Sequence, residues 1–259
     1  MKTFKLTFIL LMFLAAISCK KTDDSASLAV TSDQAADMAA GSLSENSFGL
    51  TSVTDNLAAN AQVVASVKPG SQTVNAATGG HTHQECGTTL KDSLTNSGTN
   101  SSVSFSYFLK FARTLNCNSN QAPDNLYNVI AFHGNYDGPH IISADAGSAT
   151  FTIAGLSLSA NSYVVNGEYK RTGSFTTKST PPLTGNSNID IVVTNLTLSK
   201  STRIITSGNA TISVTGSTPK KGAFSYIGTL LFNGDGTATL AINGNNYNIN
   251  LSTGIRTKA

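Results

Sequence analysis

The chain has 259 residues, a formal net charge of +3, only 12% charged side chains, three cysteines and no tryptophan. Polarity comes from Ser, Thr, Asn and Gly, and there is no clustered run of Lys and Arg of the kind that displaces counterions from a nucleic acid, so nucleic acid is excluded as a partner. The length suits one large all-β domain, or a smaller one with an extension.

The N-terminus reads "MKTFKLTFILLMFLAAISCKKTDD". Lys2 and Lys5 precede an apolar run, Leu6 to Ile17, that is broken only by Thr7 and is shorter than the roughly 20 residues a membrane-spanning helix needs. Small residues, "AAIS", stand directly before Cys19. This resembles the signal peptide and lipobox of bacterial lipoproteins, with Ala16 where that box most often carries leucine. The resemblance implies a signal peptide over 1–18 and acylation of Cys19. The following "CKKTDD", a lysine-then-acid cluster interrupted by Thr22, resembles the surface-export signal of Bacteroidota-type lipoproteins and implies an outer-membrane protein displayed on the cell surface. The resemblance covers only the first two dozen residues. Several acyl chains, at about 0.8 kcal/mol per buried methylene, make a firm membrane anchor. Removal of 1–18 takes away Lys2 and Lys5 and leaves 15 basic against 14 acidic side chains. No later apolar run is long enough to span a bilayer, so the expectation is a body held by a tether over 19–31.

Next comes a helical segment with a linker, 32–80. Ala36, Ala39, Ala40 and Leu43 recur at helical spacing after a cap at Ser32 or Asp33; Gly49 marks a break; Leu50, Val53, Leu57, Ala61 and Val64 form a second stripe ended by Pro69-Gly70. Both stripes are narrow and need a partner surface, which the β domain would supply. Residues 68–80 read as a Gly/Ser/Thr linker.

A β domain is expected over 81–259, with alternation starting near residue 100. "VSFSYFLKF" puts Val103, Phe105, Tyr107, Leu109 and Phe111 on one face. Ile189, Ile191 and Val193 repeat the pattern, as do Ala238, Leu240 and Ile242, and then Tyr247, Ile249 and Leu251. Turn signals fall at Asp137-Gly138, Asn166-Gly167, Pro181-Pro182, Gly234-Asp235-Gly236 and Asn243-Gly244, the last a type I′ hairpin and the second either a turn or a bulge. No crossover helix interrupts the run. The expected fold is mainly β: an antiparallel meander, closed as a barrel, stacked as a sandwich or left as a curved open sheet, preceded by one or two short helices.

Chemistry concentrates in "GGHTHQECG", residues 79–87. With Cys19 committed to lipid, Cys86 and Cys117 remain, and an oxidising compartment favours their joining as a disulfide. His81 and His83 share a face in an extended backbone, a geometry suited to Zn²⁺ or Cu²⁺, with Glu85 or Cys86 as a further ligand; His133 and His140 bracket a turn containing Asp137. The bland alternative is histidines in loops. A Cys–His hydrolase would need a free Cys86 thiolate, and no G-x-S-x-G elbow occurs. From residue 103 the acids are Asp124, Asp137, Asp145, Glu168, Asp190 and Asp235, most of them expected beside turns or outward, with Glu168 and Asp190 as strand residues that either pair in a cleft or, the favoured reading, face solvent; "NGDG" at 233–236 is a turn lacking the spaced acids of a calcium loop. "DSA" and "DSL" match a three-residue O-glycosylation pattern of Bacteroidota exported proteins, with Ser25 and Ser93 as acceptors.

The reading is therefore a lipid-anchored, non-enzymatic envelope protein with no cofactor, its membrane contact made through the N-terminal lipid and its body serving a binding or structural role. Two rivals stand beside it: a Zn or Cu protein using the histidines, and a carrier of lipid or another apolar ligand.

Overall fold

The computed structural model describes residues 30–66, 84–100 and 102–259. Helix α1 (Ser32–Leu43), a 3-10 turn (Glu45–Ser47) and helix α2 (Leu50–Ser66) lead into eleven strands. These are β1 (Thr89–Thr99), β2 (Ser104–Cys117), β3 (Pro123–Asp137), β4 (Ile141–Ala154), β5 (Ser162–Thr177) and β6 (Thr184–Ser199). There follow β7 (Ile205–Thr218), β8 (Gly222–Phe232), β9 (Thr237–Ile242), β10 (Asn245–Asn250) and β11 (Arg256–Lys258). Every strand pairs antiparallel with its sequence neighbour, and the order β1 to β11 leaves the sheet open. The expected meander is thus an open sheet, one of the three forms the alternation allowed.

Alternation fixes the two faces. One inward row crosses from β3 to β7 as Ile130, Ala149, Tyr169, Ile191 and Ile212, each 5% exposed or less. The adjacent outward row reads Val129, Thr150, Glu168, Val192 and Thr211. Against the inward face lie α1, on β4, β6, β7 and β9 to β11, and α2, on β3 to β5. Ala36, Ala39, Ala40 and Leu43 of α1, and Leu50, Val53, Leu57, Ala61 and Val64 of α2, are all buried there. The narrow alanine-rich stripes are what permit two helices to lie this close to a curled sheet.

Glycines open the space for that curl. Five inward glycines each face an aromatic ring directly across the ladder: Gly98 and Phe105, Gly134 and Tyr107, Gly147 and Phe132, Gly167 and Phe151, Gly216 and Phe224. A Cβ added at any of them would stand 2.2 to 2.8 Å from the ring. The ring lies over the bare backbone, covering it and allowing tight coiling.

Four local details depart from the sequence expectation or narrow it. The cap of α1 is Thr31, one residue earlier than expected; its hydroxyl accepts from the Gln34 N–H while the Gln34 side chain accepts from the Thr31 N–H, a reciprocal capping box. Strand β1 begins at Thr89, well before residue 100, because its polar edge sequence "TLKDSLTNSGT" shows only Leu90 and Leu94 as apolar markers. Asn166-Gly167 is a bulge inside β5, not a turn, and the Asn195 N–H of the neighbouring irregularity in β6 donates to the Asn166 side chain at 2.8 Å. Asn243-Gly244 is the type I′ turn expected, with φ of 48° and 73°. The linker over 68–80, the signal peptide, the tether up to residue 29, Cys19, Ser25, His81 and His83 lie outside the described residues.

Candidate functional site

Asp145 and Arg171 hold the densest group of reactive side chains among the described residues. Both occupy inward positions of their strands, in line with Tyr169, Phe151 and Phe175. Arg171 forms an ion pair with Asp145, with both side chains 3% exposed. The same guanidinium donates to the Tyr107 hydroxyl at 2.5 Å, to the Gly41 carbonyl at 3.0 Å and to the Ser47 carbonyl at 3.2 Å. Ser143 donates to Asp145 at 2.6 Å. Tyr169 donates to the Phe48 carbonyl at 3.2 Å.

The chemistry follows from the partners. Gly41 carries one of the C-terminal carbonyls of α1 that no helical N–H can satisfy, and a cation at that end also complements the helix dipole. Burial opposes charge on Arg171, but Asp145 and the phenols around it outweigh burial and hold the guanidinium ionised. Burial likewise pushes up the Tyr107 phenol, and it pushes Tyr169 up to about 12. Phe48, at φ 53°, plugs the space above, with ring centroids 5.8 Å from Tyr107 and 5.7 Å from Phe132. The group is a clamp that binds the turn between α1 and α2 to the sheet. Asp145 is an exception to the expectation that most of the later acids adjoin turns or point outward.

On the outward face of the sheet the acids are solvent-exposed. Lys170 stands between Glu168 at 2.7 Å and Asp190 at 3.8 Å on the outward face. A second charged group ties β11 to α1: Arg256 bonds Asp37 at 2.7 and 3.2 Å. Burial raises the Asp37 carboxyl despite that arginine. Tyr247 donates to Asp33 at 2.5 Å and thereby lowers that carboxyl.

Cys86 and Cys117 are joined, with Cα atoms 5.6 Å apart. The bridge fastens the segment leading into β1 to the end of β2. Gln84 reinforces it, its amide donating to the Thr88 and Arg113 carbonyls at 2.9 and 3.0 Å. His133 is exposed on the outward face of β3, its ring centroid 5.5 Å from that of Phe108, while His140 is exposed in the turn after β3. Among the described residues no group of three or more His, Cys, Asp or Glu side chains is placed to hold a metal ion. Ser93 is exposed in β1, and its N–H donates to the Asp92 carboxylate at 2.7 Å.

The described residues form several recesses, among them a shallow one of about 560 Å³ lined by Lys91, Ser93, Lys110 and Phe111 among others. A trough of about 720 Å³ crosses the outward face of β1 to β5, lined by Ser97, Ser106, Asn135, Ala144 and Ser174 among others. A cleft of about 460 Å³ lies between the start of α2 and the turns after β6 and β8, lined by Glu45, Asp55, Arg203 and Asp235 among others. No protein-family model, no curated protein and no solved structure matches the chain, so the reading of its function rests on its own residues.

Proposed function

We propose that the chain is a lipid-anchored, non-enzymatic protein of the outer membrane, displayed on the cell surface, whose β body serves as a binding or structural component. The observation that carries this reading is the division of chemistry between the two faces of the sheet. Asp145 and Arg171, the buried ion pair, are sealed at 3% exposure beneath the carbonyls of α1 and its following turn. The two body cysteines are held in a disulfide. Outward the body offers a mixed surface: hydroxyl and amide groups in the trough lined by Ser97, Ser106, Asn135 and Ser174, an exposed Lys170–Glu168–Asp190 group, and exposed Val192 and Ile227. The concave face that a carrier of apolar ligands would use is occupied by α1 and α2, which weighs against that alternative.

Protease treatment of intact cells, followed by fractionation, tests the proposal. The expected result is loss of the body from unbroken cells, with the protected remainder released from membranes only by detergent. Recovery of intact protein in the aqueous fraction would overturn it.

A further inference from the structure

The register of the sheet lines up one outward row across β1 to β5: Ser97, Ser106, Asn135, Ala144 and Ser174. All five are exposed, and they form the floor of the trough of about 720 Å³. The same row continues through Asn186 of β6 to Ser217 of β7. Strands stand about 4.8 Å apart, so the floor runs for about 19 Å across five of them. The neighbouring rows on the same face stand about 7 Å to either side. On one side come Asp137 and exposed Ile142, which also line the trough. On the other come half-buried Phe108 and exposed His133, with ring centroids 5.5 Å apart. Lys110 reaches over the Phe108 ring at 5.9 Å, so His133 is the more open of the two. Among the described residues lining the trough, Asp137 is the one charged side chain, and Lys178 pairs with it at 2.5 Å.

We propose that the trough binds an uncharged glycan, a chain of neutral sugar units laid across β1 to β5. This deepens the binding reading above and rests on it. Hydroxyl and carboxamide side chains both donate and accept hydrogen bonds, whereas an ammonium only donates and a carboxylate only accepts. A floor of the first kind matches ligand hydroxyls that also do both. It offers no counter-charge to an ionic ligand, since Asp137 and Lys178 neutralise each other. The negative face of an aromatic ring suits the weakly positive C–H face of a sugar, a role open to His133 beside the floor. An extended peptide fits less well. Peptides add to sheets by pairing with a free edge and seating alternate side chains in pockets. The floor instead lies on the face of the sheet, where β2 to β5 are each paired on both sides, and its row is hydroxyl and amide.

The test is affinity electrophoresis of the full-length protein in detergent, through native gels that each hold one soluble polymer. Dextran, xylan, glucomannan, laminarin and galactan are the neutral probes, alginate is the acidic probe and denatured casein the peptide probe. The expected result is retardation by at least one neutral polysaccharide, unaffected by added salt, with none by alginate. Ala144→Arg, which sets a long charged side chain on the floor, is expected to abolish that retardation. Asn135→Ala, a smaller change, is expected to weaken it about fivefold, the loss that goes with one net hydrogen bond. Val192→Arg, on the outward face away from the trough, is expected to leave it unchanged. No retardation by any neutral polysaccharide overturns the inference, as does retardation that persists in Ala144→Arg. Retardation by casein alone, lost in Ala144→Arg, assigns the trough to peptides and overturns it too. None of these outcomes touches the anchor reading, which is decided by fractionation of the cells.

Discussion

Arg171 is the residue on which the helices and the sheet converge, and its partners set what its loss would do. Removing one member of a buried ion pair strands the other without water, so Asp145→Ala is expected to lower stability by about 3–5 kcal/mol in urea unfolding. Asp145→Leu combined with Arg171→Met should cost markedly less than the two single changes added together, since neither charge is then stranded. Ionisation of the buried phenols gives a second prediction. Burial raises Tyr107, Tyr136, Tyr163, Tyr169 and Tyr247, five of the seven tyrosines. Folded phenols hold their protons more tightly than unfolded ones, which ionise near pH 10. Their contribution is therefore fully present below pH 10 and is lost as pH rises toward and past about 12, the value for Tyr169. Phenolate absorbance against pH should show late ionisation coincident with unfolding; complete ionisation near pH 10 with the fold intact would contradict the burial described. Asp145 was legible in part. It shares strand parity with Ile141, Phe151 and Ile153 in β4, so its inward position could be read from alternation. The arginine that makes such a position tolerable lies on another strand, and strand register is not written in either segment alone.

At the scale of elements, the long stripes were readable and the edges were not. The alternating runs of β2, β6, β9 and β10 and both helical stripes sit where periodicity placed them, because a half-buried face imposes its period on the sequence. Strand β1 escaped detection because an edge strand with exposed Thr89, Lys91, Asp92 and Ser93 owes little to burial. Its charges are what keep an open edge from recruiting another chain. The Gly and aromatic partners were visible as residues but not as pairs, since the pairing depends on register. Their role predicts that Gly147→Ala, which would press a Cβ to 2.2 Å from Phe132, costs about 1–3 kcal/mol by overpacking. A change of less than about 0.5 kcal/mol in thermal or urea unfolding would mean that the sheet has slack there. Reduction of Cys86–Cys117, which closes a separation of 31 residues, should cost roughly 3–4 kcal/mol. Unfolding with and without reductant measures it directly.

The whole molecule is an open curled sheet around its own N-terminal helices, and alternation could not predict that closure would fail. Periodicity tells which side chains point inward; curvature depends on where the backbone is bare enough to bend, and on what fills the hollow. Here β1 and β11 each keep a single neighbour, and α1 and α2 fill the space between. The candidate site was less readable than the fold. The cysteine pair followed from counting, whereas the Arg171 clamp joins β5 to carbonyls of Gly41 and Ser47 far earlier in the chain. The proposed membrane attachment belongs to this scale as well, since a near-neutral body with its ionisable pair turned inward would act where such an anchor put it. Intact mass of the protein isolated from its own membranes tests that claim most directly. The account predicts a chain beginning at Cys19 whose mass exceeds that of residues 19–259 by the added acyl groups. A mature chain with an unmodified Cys19, or one beginning anywhere else, would contradict it.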